Sequence, residues 1–285
     1  PATGTAVMTG RSLRVHRRGR GPAMMMLHGF TGSGQGMESL ARSFEDEFEV
    51  LAPDLPGHGC SSISAGYSFD RAVDDLLATL EACGHRSACW LGYSMGARLA
   101  LACAAREPRC ANSLVLVGAR AGIEDPAARE LRRNEDEALA ARIEAEGIEA
   151  FVDQWMAQAL FATQRRLGDA FLAGARRERL ANSARGLAAS LRVLGPGAQR
   201  PLFDVLARVE APVLLVAGAL DRKFADVARD LAARLPRAEV CEIADAGHAA
   251  HLETPEAFLA AAREFLRRTT GPARSVFTNQ VQETA

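Results

Sequence analysis

The stretch "LGYSMGARLA" (Leu91–Ala100) sets Ser94 between two glycines, each two residues away, where an apolar run gives way to helical spacing. Small residues at Gly92 and Gly96 let a sharp strand-to-helix turn close, and the N-terminus of the new helix aims amide donors at the site. A serine hydroxyl is a poor nucleophile and a poor base at neutral pH. To act, Ser94 needs a histidine to take its proton and a carboxylate to hold that histidine; without them it is a small residue in a turn. His248, in "DAGHAAHLETPEAF", follows a strand-like run through a glycine, and Asp221, in "VAGALDRKF", follows another. Serine, acid and histidine in that chain order would perform acyl transfer or proton abstraction. Either reaction builds negative charge on an oxygen. The backbone N–H of Met95, and that of Phe30 in "HGFTGSG", are the donors placed to stabilise it.

Other readings of the same residues compete. His251 lies three residues beyond His248 and is a second candidate base; the two could form a metal pair, but no third ligand of suitable spacing accompanies them, so no metal site is expected. "HGFTGSG" could cradle a phosphate, yet it lacks the G-K-[ST] of a P-loop and does not complete a G-x-G-x-x-G, so no nucleotide site is expected. His28 and His58 read as turn-stabilising groups in "HGF" and "PGHG", His16 and His85 as surface residues.

These groups must be held by a scaffold. Short, nearly continuous apolar runs that stop at turn residues recur at 23–30, 48–59, 87–94, 113–119, 211–221 and 238–248, as expected of strands buried on both faces. Helical stretches such as "FDRAVDDLLATLEAC" (Phe69–Cys83) and "GARLALACAAREP" (Gly96–Pro108) lie between them. The alternation predicts an α/β fold with an open, mostly parallel sheet flanked by helices. From about Arg120 to Val209 no strand is evident, only charged, alanine-rich helical sequence broken at Gly147, Gly168 and "GPG" (Gly195–Gly197). The expected organisation is a core of 1–119 and 210–268, a helical cap of 120–209, and a loosely held polar tail of 269–285.

The formal net charge is −1, and 48% of the 285 residues are hydrophobic. That is enough for a substantial core, and it gives no general attraction to nucleic acid or an anionic membrane, which leaves a small-molecule partner. Six cysteines (60, 83, 89, 103, 110 and 241) form no C-x-x-C pair or regular framework and read as reduced thiols of a cytoplasmic protein. No secretory leader pattern is evident, and no apolar run reaches the ~18 residues of a membrane span.

Together, "HGFTGSG", "PDLPGHGCS", "GYSMGARLAL", "GALDRKF" and "AGHAAHLETPEAF" resemble the α/β-hydrolase superfamily from Ala23 to roughly Leu266. The resemblance implies that fold, a triad of Ser94, Asp221 and His248, and Phe30 and Met95 as oxyanion donors. The superfamily hosts esterases, lactonases, peroxidases, dehalogenases and lyases, so fold alone names no reaction. A haloalkane dehalogenase is disfavoured because its nucleophile is an aspartate where this chain has Ser94.

Finer detail, in "GYSMGARLAL", "DQWMAQALF" (Asp153–Phe161), "RERLANSARGLAASL" (Arg177–Leu191) and "GALDRKFADVA" (Gly218–Ala228), is similar to the 2-succinyl-6-hydroxy-2,4-cyclohexadiene-1-carboxylate (SHCHC) synthases of menaquinone biosynthesis. That likeness implies a cofactor-independent lyase whose triad abstracts a proton and eliminates pyruvate from a polycarboxylate. It implies substrate contacts at Tyr93, Arg98, Arg132 (or Arg133), Trp155 and Arg179. Arginine suits such a task because its planar fork grips a carboxylate through two charge-assisted bonds. The competing account is that "ELRRNEDEALAAR" merely solvates a helix face and that Trp155 and Tyr93 are packing residues. The chain departs from the family at Ala97, where a second glycine is common, and in its polar tail. A serine hydrolase of a small ester, lactone or C–C bonded diketone is the alternative activity, and a non-catalytic binding protein on the same scaffold a third reading.

Overall fold

The computed structural model describes residues 5–6 and 13–270. Eight strands make one sheet: β1 (Thr5–Ala6), β2 (Val15–Arg18), β3 (Ala23–Leu27), β4 (Glu49–Pro53), β5 (Ala88–Tyr93), β6 (Ala111–Val117), β7 (Val213–Gly218) and β8 (Ala238–Ile243). Their spatial order is β1-β2-β4-β3-β5-β6-β7-β8, antiparallel at β1–β2–β4 and parallel from β4 to β8. The helices are α1 (Glu38–Arg42), α2 (Phe69–Ala82), α3 (Met95–Arg106), α4 (Pro126–Met156), α5 (Asp169–Leu180), α6 (Ala184–Leu194), α7 (Arg222–Arg234), α8 (Ala250–Glu253) and α9 (Pro255–Thr270).

Successive side chains of a strand point to opposite faces, so a strand covered on both sides must be apolar throughout. β3 obeys this: Met25 and Leu27 pack with Leu76, Leu99 and Trp90 on one face, while Met24 and Met26 pack with Phe44 and Phe258 on the other. Trp90 is fully buried and its indole N–H donates to the Cys110 carbonyl at 2.9 Å, so its single polar atom is satisfied. Four helix starts carry side-chain caps: Ser68, Asp125, Ser183 and Asp221 accept the Arg71, Ala128, Gly186 and Phe224 N–H groups.

Two features of the sheet were not anticipated from the apolar runs. β1 and β2 form its antiparallel edge, and "VHRR" in β2 is apolar only at the buried Val15, because the remaining positions stay partly exposed. β8 is expected to be buried on both faces but is the opposite edge strand, half-exposed along most of its length. His16 and His85, expected on the surface, are half-buried and face Asp54 (3.4 Å) and Glu49 (2.9 Å).

Between β6 and β7 the chain is built of helices and turns. α4 is interrupted at Gly147 (φ 82°) and α5 begins after Gly168 (φ 84°), conformations that a side chain would strain. Ile143, Phe151, Val152, Leu187 and Leu191 give this insertion a small core of its own. Thr269 and Thr270 end α9; the remainder of the expected tail lies outside the described residues. None of the described helices is long and apolar enough to cross a membrane.

The order reversal between β3 and its neighbours β4 and β5 opens a crevice at the carboxyl ends of the strands, where ligands of open α/β sheets bind. The register carries the consequence. Leu27 pairs with Gly92, and Phe30 and Met95 each lie three residues further on. Gly218 pairs with Ile243, and Asp221 and His248 follow three and five residues later.

Candidate active site

Ser94 follows β5 with φ 51° and ψ −104°, a left-handed conformation uncommon for a non-glycine residue. Its N–H donates to the Val117 carbonyl at 2.8 Å, fixing the turn to the neighbouring strand. Both flanking glycines are required by space. A Cβ at Gly92 would come within 2.7 Å of the Ala97 backbone, and one at Gly96 would collide with the Leu27 carbonyl. Ala97 itself is fully buried, and the turn closes around it.

His248 Nε2 lies 3.1 Å from Ser94 Oγ and His248 Nδ1 lies 2.8 Å from Asp221 Oδ2. Three residues from three strand ends are thus connected in one chain of hydrogen bonds, with an imidazole tautomer that leaves Nε2 free to accept the serine proton. The imidazole packs on Phe224 (4.5 Å between centroids) and is buried. Gly118 (φ 63°) gives it room: a Cβ there would stand 2.8 Å from His248 Cε1. Among the described residues, the N–H groups of Phe30 and Met95 have no partner, the condition an oxyanion donor has to meet.

The competing histidines serve other ends. His251 is buried against the Tyr93 ring at 4.6 Å with no carboxylate partner, and burial lowers its pKa to about 3. No cluster of three metal-ligating side chains exists among the described residues. His28 accepts the Leu55 N–H (3.0 Å) and His58 the Thr31 N–H (3.2 Å), tying together the loops after β3 and β4. Burial pushes their pKa values down to about 4 and about 3.

These three imidazoles predict acid sensitivity. Each is neutral when folded but binds a proton near pH 6.5 when unfolded, so their contribution is intact above pH 6.5 and is lost as pH falls toward 4 and 3. Each contributes up to about 1.4 kcal/mol per pH unit in that window. Urea denaturation is expected to show several kcal/mol of stability lost between pH 6.5 and 4.5. A constant stability over that range would mean that these histidines charge without unfolding the protein.

The loop bearing His248 is clamped from beneath. Glu253, 5% exposed, accepts the N–H groups of Gly247 (2.8 Å) and Ala249 (3.3 Å), which flank the histidine. Arg166 of the insertion lies 3.5 Å from the same carboxylate and also donates to the Asp245 carbonyl. Glu253→Gln leaves one N–H facing an amide donor, so activity is expected to fall about 10- to 100-fold, with ~1–3 kcal/mol lost from stability. Steady-state kinetics beside urea denaturation measure both; unchanged activity would show that the loop holds His248 without this clamp.

Asn182 joins the insertion to the site in the same manner. Its side chain accepts from the Gly59 N–H and donates to the Thr31 carbonyl, both at 2.9 Å. A cavity of about 220 Å³ lies between the insertion and the sheet and contains Ser94 and His248 in its wall. Five cationic side chains, Arg98, Arg120, Arg132, Arg179 and Lys223, also line it, and no carboxylate of the described residues does.

The structure brings all five expected contact residues, Tyr93, Arg98, Arg132, Trp155 and Arg179, to this wall, with different freedoms. Arg98 is buried, and its terminal nitrogens donate to Gln199 Oε1 (2.9 Å) and the Leu194 carbonyl (2.6 Å), so it braces the end of α6. Burial beside Arg120 and Arg132 lowers its pKa to about 9. Arg132 gives its Nε to Asp136 at 2.7 Å. Arg133, the alternative to Arg132, is exposed and is not in the wall. Arg179 keeps a buried Nε without a partner, as does the Trp155 indole, although that ring also packs on Phe30, Phe151 and Phe161. Burial raises the Tyr93 pKa, against the opposing influence of Arg179.

Arg120 and Lys223 were missed from sequence. The available signal was position: Arg120 lies three residues past β6 and Lys223 five past β7, on the strand edge that carries the triad.

A serine on a strained strand-to-helix turn, hydrogen-bonded to a histidine–aspartate pair from later strand ends, defines an enzyme of the α/β-hydrolase class. The chain belongs to the alpha/beta hydrolase fold family, whose model matches residues 22–255. It is similar to the 2-succinyl-6-hydroxy-2,4-cyclohexadiene-1-carboxylate synthase of Serratia proteamaculans (strain 568), at 35% identity over 246 residues, 86% of this chain and 93% of that protein. The fold matches MenH from S. aureus with a TM-score of 0.86 and 29% identity, over 93% of this chain and 100% of that one. It also matches a thermophilic esterase from Thermogutta terrifontis with malate bound (TM-score 0.79, 25% identity, 94% and 97% covered).

Proposed function

We propose that the protein is a cofactor-independent lyase that eliminates pyruvate from 2-succinyl-5-enolpyruvyl-6-hydroxy-3-cyclohexene-1-carboxylate, giving SHCHC for menaquinone biosynthesis. The observation that carries this reading is the cavity wall: a triad among five cations, with no carboxylate among the described lining residues, suits a substrate with several carboxylates. The SHCHC synthase name of the Serratia relative supports the same substrate class.

The reaction follows from the two ring systems. A 3-ene carrying a 5-enolpyruvyl group becomes a 2,4-diene when C2 loses its proton and the C5–O bond breaks. The C2 proton is acidic because it lies beside the succinyl carbonyl. His248, held by Asp221, takes the Ser94 proton as Ser94 Oγ removes the C2 proton, and the Phe30 and Met95 N–H groups stabilise charge on the succinyl oxygen. The electron pair moves through the C3–C4 double bond and expels the enolate of pyruvate, which the proton held by His248 neutralises.

A hydrolase is the second reading, because Ser94 at 3.1 Å from His248 Nε2 is equally disposed to accept an acyl group. Pyruvate release, coupled to lactate dehydrogenase and run beside p-nitrophenyl acetate hydrolysis, separates the two. Rapid pyruvate release is expected; ester turnover without pyruvate would overturn the lyase reading in favour of the hydrolase.

A further inference from the structure

We propose that Arg120 forms a carboxylate-binding subsite of the cavity, at the end of β6, and selects for a substrate with an anionic group there. The inference rests on the polycarboxylate reading above and names the residue that reads one of the charges.

Arg120 follows Gly118, which packs on His248, so its backbone emerges beside the catalytic imidazole. Its guanidinium lines the cavity and makes no hydrogen bond or ion pair with any described residue; its Nε is buried and unpartnered. The neighbouring cations differ. Arg98 has both terminal nitrogens engaged by Gln199 and Leu194, and Arg132 faces Asp136, whose second oxygen already accepts the Gly197 N–H at 3.0 Å.

Arg120 is therefore a half-buried cation repelled by Arg98 and Arg132 and balanced by no acid among the described residues. Burying a charge without a partner is costly, so an anion that enters the cavity gains by meeting this one. The segment around it is firmly held, since the Leu202 N–H donates to the Ala121 carbonyl at 2.8 Å and Gly122 (φ 112°) closes against Pro201. The backbone that carries the fork is thus fixed, so binding a carboxylate orders little beyond the side chain itself.

Arg120→Gln and Arg120→Lys, compared with the parent, test this through three measurements: pyruvate release, calorimetric binding of tricarballylate as a tricarboxylate probe, and the rate at which a neutral phosphonate ester labels Ser94. A charge-assisted contact predicts that Arg120→Gln raises KM and weakens tricarballylate by about 10- to 100-fold, with kcat within about threefold and Ser94 labelling unchanged. Arg120→Lys should recover part of the loss. Pyruvate release by the parent with KM and tricarballylate affinity unchanged in Arg120→Gln overturns the subsite and leaves the lyase intact. A parent that releases no pyruvate, but whose tricarballylate binding still depends on Arg120, overturns the lyase and sustains the subsite. Equal losses of Ser94 labelling and pyruvate release in both variants would make Arg120 structural and overturn the inference.

Discussion

Ser94→Ala is expected to lower turnover by at least about a thousandfold while leaving the fold intact. The hydroxyl is the atom between His248 Nε2 and the cavity, 3.1 Å from the imidazole, and an alanine there offers the substrate neither a nucleophile nor a base. The main-chain bond from residue 94 to the Val117 carbonyl survives the substitution, and alanine accepts the same left-handed turn at similar strain, so thermal stability should change little. Single-turnover mass spectrometry of the parent adds the mechanistic content. If Ser94 acts as a base, no acyl-enzyme accumulates; an acyl group trapped on Ser94 during turnover would identify it as a nucleophile. Retention of more than about a tenth of parental activity in the alanine variant would displace Ser94 from the chemistry.

Asp221→Asn should cost about 10⁴ in kcat, the scale seen when a triad carboxylate becomes an amide. Asp221 makes two contacts: Oδ2 faces His248 Nδ1 at 2.8 Å, and Oδ1 accepts the Phe224 N–H at 3.3 Å as the cap of α7. An asparagine can keep the cap by turning its carbonyl to Phe224. Its NH₂ then faces Nδ1 and favours the tautomer protonated at Nε2, which cannot accept the serine proton. Stability should therefore stay within about 1 kcal/mol of the parent, as expected when a cap is preserved. Urea denaturation and initial rates measured on one preparation distinguish this from collapse of the site. A large loss of stability would assign Asp221 a structural role, and full activity would mean that another group orients His248.

Much of the scaffold was legible because its causes are local. Six apolar runs bounded by turn residues correspond to β3–β8, and "GYSMG" required a turn that only small residues at 92 and 96 could close. The antiparallel edge escaped because β2 needs to bury little more than Val15, so "VHRR" carries neither continuous apolarity nor alternation. His16 and His85 were misjudged for a related reason: the carboxylates that draw them inward, Asp54 and Glu49, lie 38 and 36 residues away, and nothing near either histidine announces them.

The candidate acid-base groups of this protein were legible in the sequence itself. Residue types and turn requirements singled out a serine, an acid and a histidine, each following a strand, with His251 a second candidate base, and the helical breaks at Gly147 and Gly168 set the rhythm of the insertion. Tertiary structure decided which charges remain available to a substrate. Arg98 and Arg132 were conspicuous in sequence, yet each finds protein partners, while Arg120, placed by the register of β6 beside the triad, finds none among the described residues. Charge compensation is a three-dimensional property: a guanidinium is neutralised by whatever the fold brings within a few ångströms, and for Arg98 those groups lie 96 and 101 residues away along the chain.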